Sequence, residues 1–130
     1  MTALGRLAAG ALLVAACSAC ANAGAQDYRA LPLPSETYAV PQDVFAARLR
    51  SLPEGREGRQ ELELSVRKNS DGNYVVLLTA TGLLDDSVGA EQHRALLRFE
   101  SGRWRVTELG ERWRCQPDRG TSDWGTSQCH

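Results

Sequence analysis

The chain has 130 residues, 42% of them hydrophobic and 24% charged, with a formal net charge of −1. That length has room for one core, and so even a charge balance gives no overall drive toward nucleic acid or an anionic lipid surface. Beyond the N-terminus, no apolar run is long enough to cross a membrane as a helix.

Arg6 is the first charge and the last before Asp27, and Leu7 to Ala16 is an apolar run. Residues 1–25 therefore read as a secretory signal peptide. Two processing sites compete within it. Ala23-Gly24-Ala25 has the small-x-small form of ordinary signal peptidase, and Val14-Ala15-Ala16-Cys17 has the form of a bacterial lipobox, whose Cys17 would carry lipid. Cleavage after Ala25 leaves an even pair, Cys115 and Cys129, whereas lipidation at Cys17 leaves Cys20 without a partner. The balance tips slightly toward a soluble periplasmic form; the alternative attaches to the membrane only through Cys17. Loss of Arg6 with the first 25 residues takes the net charge from −1 to −2.

Residues 26–40 form an extended lead containing Pro32 and Pro34, because proline fixes φ and disfavours helix in the residue before it. Pro41 suits the first turn of a helix, and Asp43 is a favourable charge there. Phe45, Leu49 and Leu52 then fall on one helical face, and Pro53 ends the run. From Glu61 the period changes to two: Leu62, Leu64 and Val66 alternate with Glu61, Glu63, Ser65 and Arg67. Asn69-Ser70-Asp71-Gly72 marks a turn. Tyr74 to Thr81 is apolar on both parities, as a central strand covered on both faces would be. A loop from Gly82 to Gly89 leads to a third strand near Ala90.

The stretch Leu96 to Cys115 organises what precedes it. Ser101-Gly102 is set for a two-residue hairpin turn, which would put Glu100 opposite Arg103, Phe99 opposite Trp104 and Leu97 opposite Val106. Beyond Val106 the apolar phase slips to Leu109 and Trp113, and the slip predicts a bulge near Gly110. The expected fold is α+β: residues 41–130 form one domain in which an N-terminal helix packs on a curved four-stranded antiparallel meander. Its core would join Leu62, Leu64, Val66, Val75, Leu77, Leu97, Phe99, Trp104 and Val106 to Phe45, Leu49 and Leu52. A C-terminal tail would be tied by Cys115 and Cys129, as expected in an oxidising compartment.

Gly102-Arg103-Trp104-Arg105-Val106, after a helix and a meander, resembles the end of NTF2-like and cystatin-like domains. The tail residues Arg112-Trp113-Arg114-Cys115, Arg119-Gly120, Asp123-Trp124 and Cys129 resemble an uncharacterised family of small exported bacterial proteins. The resemblance implies a fold and a compartment, and no activity.

The chemical alternatives are thin. Cys115, Cys129, His93 and His130 match no standard zinc spacing. Arg103-Trp104-Arg105 and Arg112-Trp113-Arg114 read more readily as strand alternation, Trp inward and Arg outward, than as a nucleic-acid surface. Asp85-Asp86 supplies too few oxygens for a cation, and no motif puts a nucleophile beside His93. The sequence therefore points to a non-enzymatic envelope module needing no cofactor or metal and contacting a protein or cell-wall component. Arg119, Asp123 and Trp124 would form its surface. The alternative is a binder of an apolar small molecule on the concave sheet face.

Overall fold

The computed structural model describes residues 24–51 and 60–130. Of the expected signal peptide only Gly24 and Ala25 are described; Cys17, Cys20, Leu52, Pro53 and the loop at 54–58 lie outside. Among the described residues no helix is long and apolar enough to cross a membrane.

The expected architecture is corrected in both of its layers. The molecule is a mostly antiparallel six-stranded sheet with a short helical segment, and not a helix packed on a four-stranded meander. Its strands are β1 (Arg29–Ala30), β2 (Thr37–Tyr38), β3 (Glu61–Lys68), β4 (Tyr74–Thr81), β5 (Val88–Glu100) and β6 (Arg103–Cys115). β3, β4, β5 and β6 are hydrogen-bonded in that order, and both β1 and β2 pair with the outer edge of β6. The lead is thus part of the sheet. Between β1 and β2 it breaks away at Pro32 and Pro34, which have no N–H to donate to a ladder. The N–H of Leu31 makes the last bond, to the carbonyl of Leu109 at 2.9 Å.

The helical segment is ten residues long. Pro41–Phe45 is a 3-10 turn with proline in its first turn, and α1 is Ala46–Arg50. Phe45 sits between them at φ −107°, ψ 8°, off the α-helical values. Phe45 is buried in the core, with the half-buried Val44 packed against the same cluster.

The β5–β6 turn adopts the expected register. Ser101 and Gly102 both have positive φ, 50° and 79°, as a tight hairpin requires, and Glu100, Phe99 and Leu97 face Arg103, Trp104 and Val106. The phase slip is real but lies elsewhere than expected. Leu96 pairs with Glu108 while Leu97 pairs with Val106, so Thr107 is the extra residue. Val106, Leu109, Glu111 and Trp113 consequently share one face. Gly110 has a different task. A Cβ there would lie 2.7 Å from the Cβ of Tyr28 and 3.1 Å from the carbonyl oxygen of Arg29, so the glycine lets the lead cross β6 closely.

The core comprises Phe45, Val76, Leu78, Ala95, Leu97 and Val106, with Tyr38, Val44, Leu49, Trp104 and Leu109 packed around it. Several expected members are displaced. Val75 and Leu77 are half-buried on the opposite face, because Val76 and Leu78 are the residues in register with Ala95 and His93. Leu62, Leu64 and Val66 do face the core side, but on the last strand of the sheet they remain 46%, 38% and 39% exposed. Phe99, near the hairpin tip, is 60% exposed, with its ring against Trp104 at 5.0 Å.

The second face of the sheet is held by arginines and aromatic rings. Tyr28 donates its hydroxyl to Oε1 of Gln92 at 2.6 Å, and the same oxygen accepts from Nε of Arg112 at 2.9 Å. The Arg112 guanidinium lies 4.5 Å from the Tyr28 ring centroid and 5.2 Å from that of Trp124, and Arg114 lies 4.5 Å from Trp124. Cation–ring contacts of this kind contribute ~0.5–2 kcal/mol each, rising with desolvation. Burial raises the Tyr28 hydroxyl above the ordinary tyrosine value, against the opposing pull of Arg112 and Arg94.

Gly110→Ala should therefore detach the lead and leave the meander folded. We expect a loss of about 1–3 kcal/mol, the usual cost of overpacking a close contact. Hydrogen exchange would read it: the Leu31 amide should lose protection while amides of β4 and β5 keep theirs. Unchanged protection at Leu31 would show that the crossing tolerates a methyl group.

Candidate functional site

Alternation along β5 places Glu91 and His93 on the face beneath the helical segment. His93 is in register with Leu78 on β4 and Glu111 on β6, and it is 4% exposed. Its ring lies 6.1 Å from that of Phe45. Nε2 is 3.6 Å from Oε1 of Glu91, and Nδ1 is 3.9 Å from Oε2 of Glu111. Both separations are too long for hydrogen bonds, and Nε2 is covered without a hydrogen-bond partner among the described residues.

Each flanking carboxylate is held by its own arginine. Arg48 of α1 donates Nη2 to Oε1 of Glu91 at 2.6 Å. Arg29 of β1 donates Nη2 to Oε1 of Glu111 and stacks on Trp113 at 4.8 Å. Five groups, Arg48, Glu91, His93, Glu111 and Arg29, thus join the helical segment and the lead to the middle of the sheet. The Glu91 carboxyl is held down to about 2, foremost by the imidazole of His93 and then by Arg48, while its own burial works the other way.

Above the imidazole is an open cleft of about 370 Å3 between helical segment, lead and sheet. Leu31, Pro34, Tyr38, Val44, Phe45 and Leu109 form its apolar wall, and Arg48, His93 and Glu111 are its polar groups. A neighbouring open cleft of about 420 Å3 is bounded by Glu91, Glu111, Trp113 and the tail residues Gln128 and Cys129.

The tail is bound to the end of β6. Cys115 and Cys129 are joined in a disulfide, so their sulfurs are not available to a metal. Trp113 and Gly125 exchange backbone hydrogen bonds at 2.9 and 3.0 Å, and Trp113 Nε1 donates to the carbonyl of Ser127 at 2.6 Å. Of the residues expected to form an interaction surface, Arg119 and Asp123 are exposed, and Trp124 is half-buried beneath Arg112 and Arg114. Among the described residues no ion pair or side-chain hydrogen bond joins Arg119 to Asp123. Asp85 is taken up by its own turn: its Oδ1 accepts from the N–H groups of Ser87 and Val88 at 2.8 and 2.7 Å, which lowers its pKa.

Two parts of the cluster were within reach of the sequence. Glu91-x-His93 is a same-face pair on any strand. Glu111 was not, because its face depends on the bulge at Thr107. No protein-family model matches the chain, and neither does any curated protein or solved structure.

The network makes stability depend on pH in a definite direction. The Glu91 carboxyl titrates below its ordinary 4.5 in the folded chain, so its contribution is complete above that value and is lost as pH falls toward about 2. Glu91→Gln should lower the melting temperature near neutrality and flatten its fall between about pH 5 and about pH 3. Parallel melting curves for the two proteins across that window would exclude Glu91 as the acid-sensitive group.

Proposed function

We propose that the protein is a non-enzymatic binding module of the bacterial envelope, exported as a soluble periplasmic protein, which takes a small, uncharged, largely apolar molecule in the cleft beside His93. The cleft lining carries this reading: six apolar side chains surround three polar ones, the composition typical of small-molecule sites. The charges favour a neutral ligand. Arg48 is committed to Glu91 and Arg29 to Glu111, so an ionic ligand would have to break one of these pairs and leave a partly buried charge uncompensated. A single hydroxyl, amine or carbonyl on an apolar frame makes no such demand. The absence of catalytic machinery is part of the proposal: carboxylates, not a hydroxyl or thiol, flank the imidazole.

A macromolecular partner, an envelope protein or cell-wall component, is the second reading. It is favoured by the exposed apolar row Leu62, Leu64 and Val66 on the last strand of the sheet.

N-phenyl-1-naphthylamine, an uncharged fluorophore in which one N–H joins a naphthyl to a phenyl group, tests the first reading. We expect saturable fluorescence enhancement with a Kd of about 1–10 μM. Leu31→Trp, which fills the cleft from the lead, should weaken binding about tenfold or more with an unchanged circular dichroism spectrum. Absence of saturable binding, or equal binding by the variant, would remove the cleft as the site. The intact mass of the exported protein separates the two processing routes: cleavage after Ala25 gives a chain starting at Gln26, and the lipobox route an acylated chain starting at Cys17.

A further inference from the structure

The two edges of the sheet are treated differently. The outer edge of β6 is covered by β1 and β2, whereas among the described residues no strand pairs with the outer edge of β3. β3 is eight residues long and straight in register, pairing with β4 from Glu61–Thr81 to Lys68–Tyr74 without a bulge. β3 is a long, regular edge with neither proline nor bulge, two of the devices that usually guard a free edge, and Leu62, Leu64 and Val66 are exposed along it.

The order of residues within β3 points to a particular partner. The strand reads Glu-Leu-Glu-Leu-Ser-Val-Arg-Lys, with both acids in its first half and both bases at its end. Two such strands placed antiparallel bring the acidic half of each against the basic half of the other; placed parallel, they align like with like. We propose that β3 is the interface of a symmetric dimer, in which two copies of this chain pair edge to edge and antiparallel, with Leu64 on the two-fold axis.

Register follows from the side-chain period of two. With Leu64 opposite Leu64, Leu62 lies opposite Val66 in both halves, so every apolar residue of the strand meets an apolar one on the face that carries the core. On the other face Glu61 meets Arg67 and Glu63 meets Ser65. Sliding one way by a single pair puts Glu63 opposite Glu63. Sliding the other way costs the Leu62–Val66 contacts, because Leu62 then faces Lys68. A shift of one residue turns apolar positions onto charged ones. Directly opposed apolar pairs and opposite charges are the units that stabilise antiparallel strands, and the ladder itself would satisfy the backbone groups of both edges. The result is one continuous sheet through two copies, with both helical segments on the same side. This gives the macromolecular reading a definite partner and does not rest on the cleft.

Sedimentation velocity of the full exported protein tests it, with far-ultraviolet circular dichroism as the control for folding. The native protein should show a concentration-dependent monomer–dimer equilibrium. Leu64→Lys, which opposes two ammonium groups on the axis, should raise the dissociation constant at least tenfold. Glu61→Arg, at an exposed position that leaves the core untouched, should weaken the dimer about as much, and adding Arg67→Glu to it should restore association. A native protein that stays monomeric at 0.5 mM (roughly the upper limit for a weak specific contact) overturns the proposal. So does a dimer that Leu64→Lys leaves intact, or one indifferent to the sign of charge at position 61. Binding of N-phenyl-1-naphthylamine is read separately, so failure of the dimer and failure of the cleft are distinguishable.

Discussion

The extra residue at Thr107 is the constraint on which the structure turns. A thirteen-residue strand of strict alternation would carry Val106 to the core and send Leu109, Glu111 and Trp113 to the opposite side. Thr107, unpaired in register and donating its hydroxyl to the carbonyl of Leu96 at 3.3 Å, resets the alternation halfway along β6. The first half then supplies Trp104 and Val106 to the apolar core, and the second half supplies Glu111 and Trp113 to the charged cluster on the same face. The bulge also orients Gly110 toward the lead, where the missing side chain admits Tyr28. Core, cluster and lead are all placed by one insertion.

The two faces of the sheet are stabilised by different physics. Under the helical segment, burial of aliphatic side chains dominates: Val76, Ala95 and Leu97 have no accessible surface, and Val106 and Leu78 almost none. On the opposite face, planar guanidinium groups fill the space between rings, and Gln92 satisfies Tyr28, Arg112 and Thr79 together. Arginine suits that position because its flat, weakly hydrated head stacks on rings while its edge still donates hydrogen bonds. The pairs of basic residues around Trp104 and Trp113 in the sequence are explained by alternation; the stacking of Arg112 and Arg114 on Trp124 is an addition that alternation does not foretell.

What could be read from the sequence was local. The turn at Ser101-Gly102 is written in two adjacent residues, and the strand pattern of β3 in eight. The kind of fold was misread for an equally physical reason. Arg29, Ala30, Thr37 and Tyr38 have no strand periodicity of their own, since two-residue strands are too short to show one, and their pairing is decided by a partner far along the chain. The helix was overestimated because Phe45 and Leu49 fit a helical stripe whether or not the backbone remains helical between them. Val76 and Leu78 were indistinguishable from Val75 and Leu77, because β4 is apolar on both parities and only its neighbours decide which parity is buried. For the candidate site, Glu91 and His93 could be grouped by spacing, but Glu111, Arg29 and Arg48 come from three other elements.

The attachment of the lead to β6 also governs the order of assembly. β3 through β6 are neighbours in sequence as well as in space, so each hairpin can close as soon as its second strand exists. β1 cannot: Arg29 and Glu111 are 82 positions apart, and the first strand must wait for the last. Contacts of such separation carry a large loop-closure cost and slow the search for the native state. During synthesis from the N-terminus, Tyr28 and Tyr38 therefore remain without their docking strand until β6 has been made. The rings of Tyr28 and Trp124, which hold Arg112 between them, thus come from opposite ends of the described chain, and that clasp needs β6 already in place.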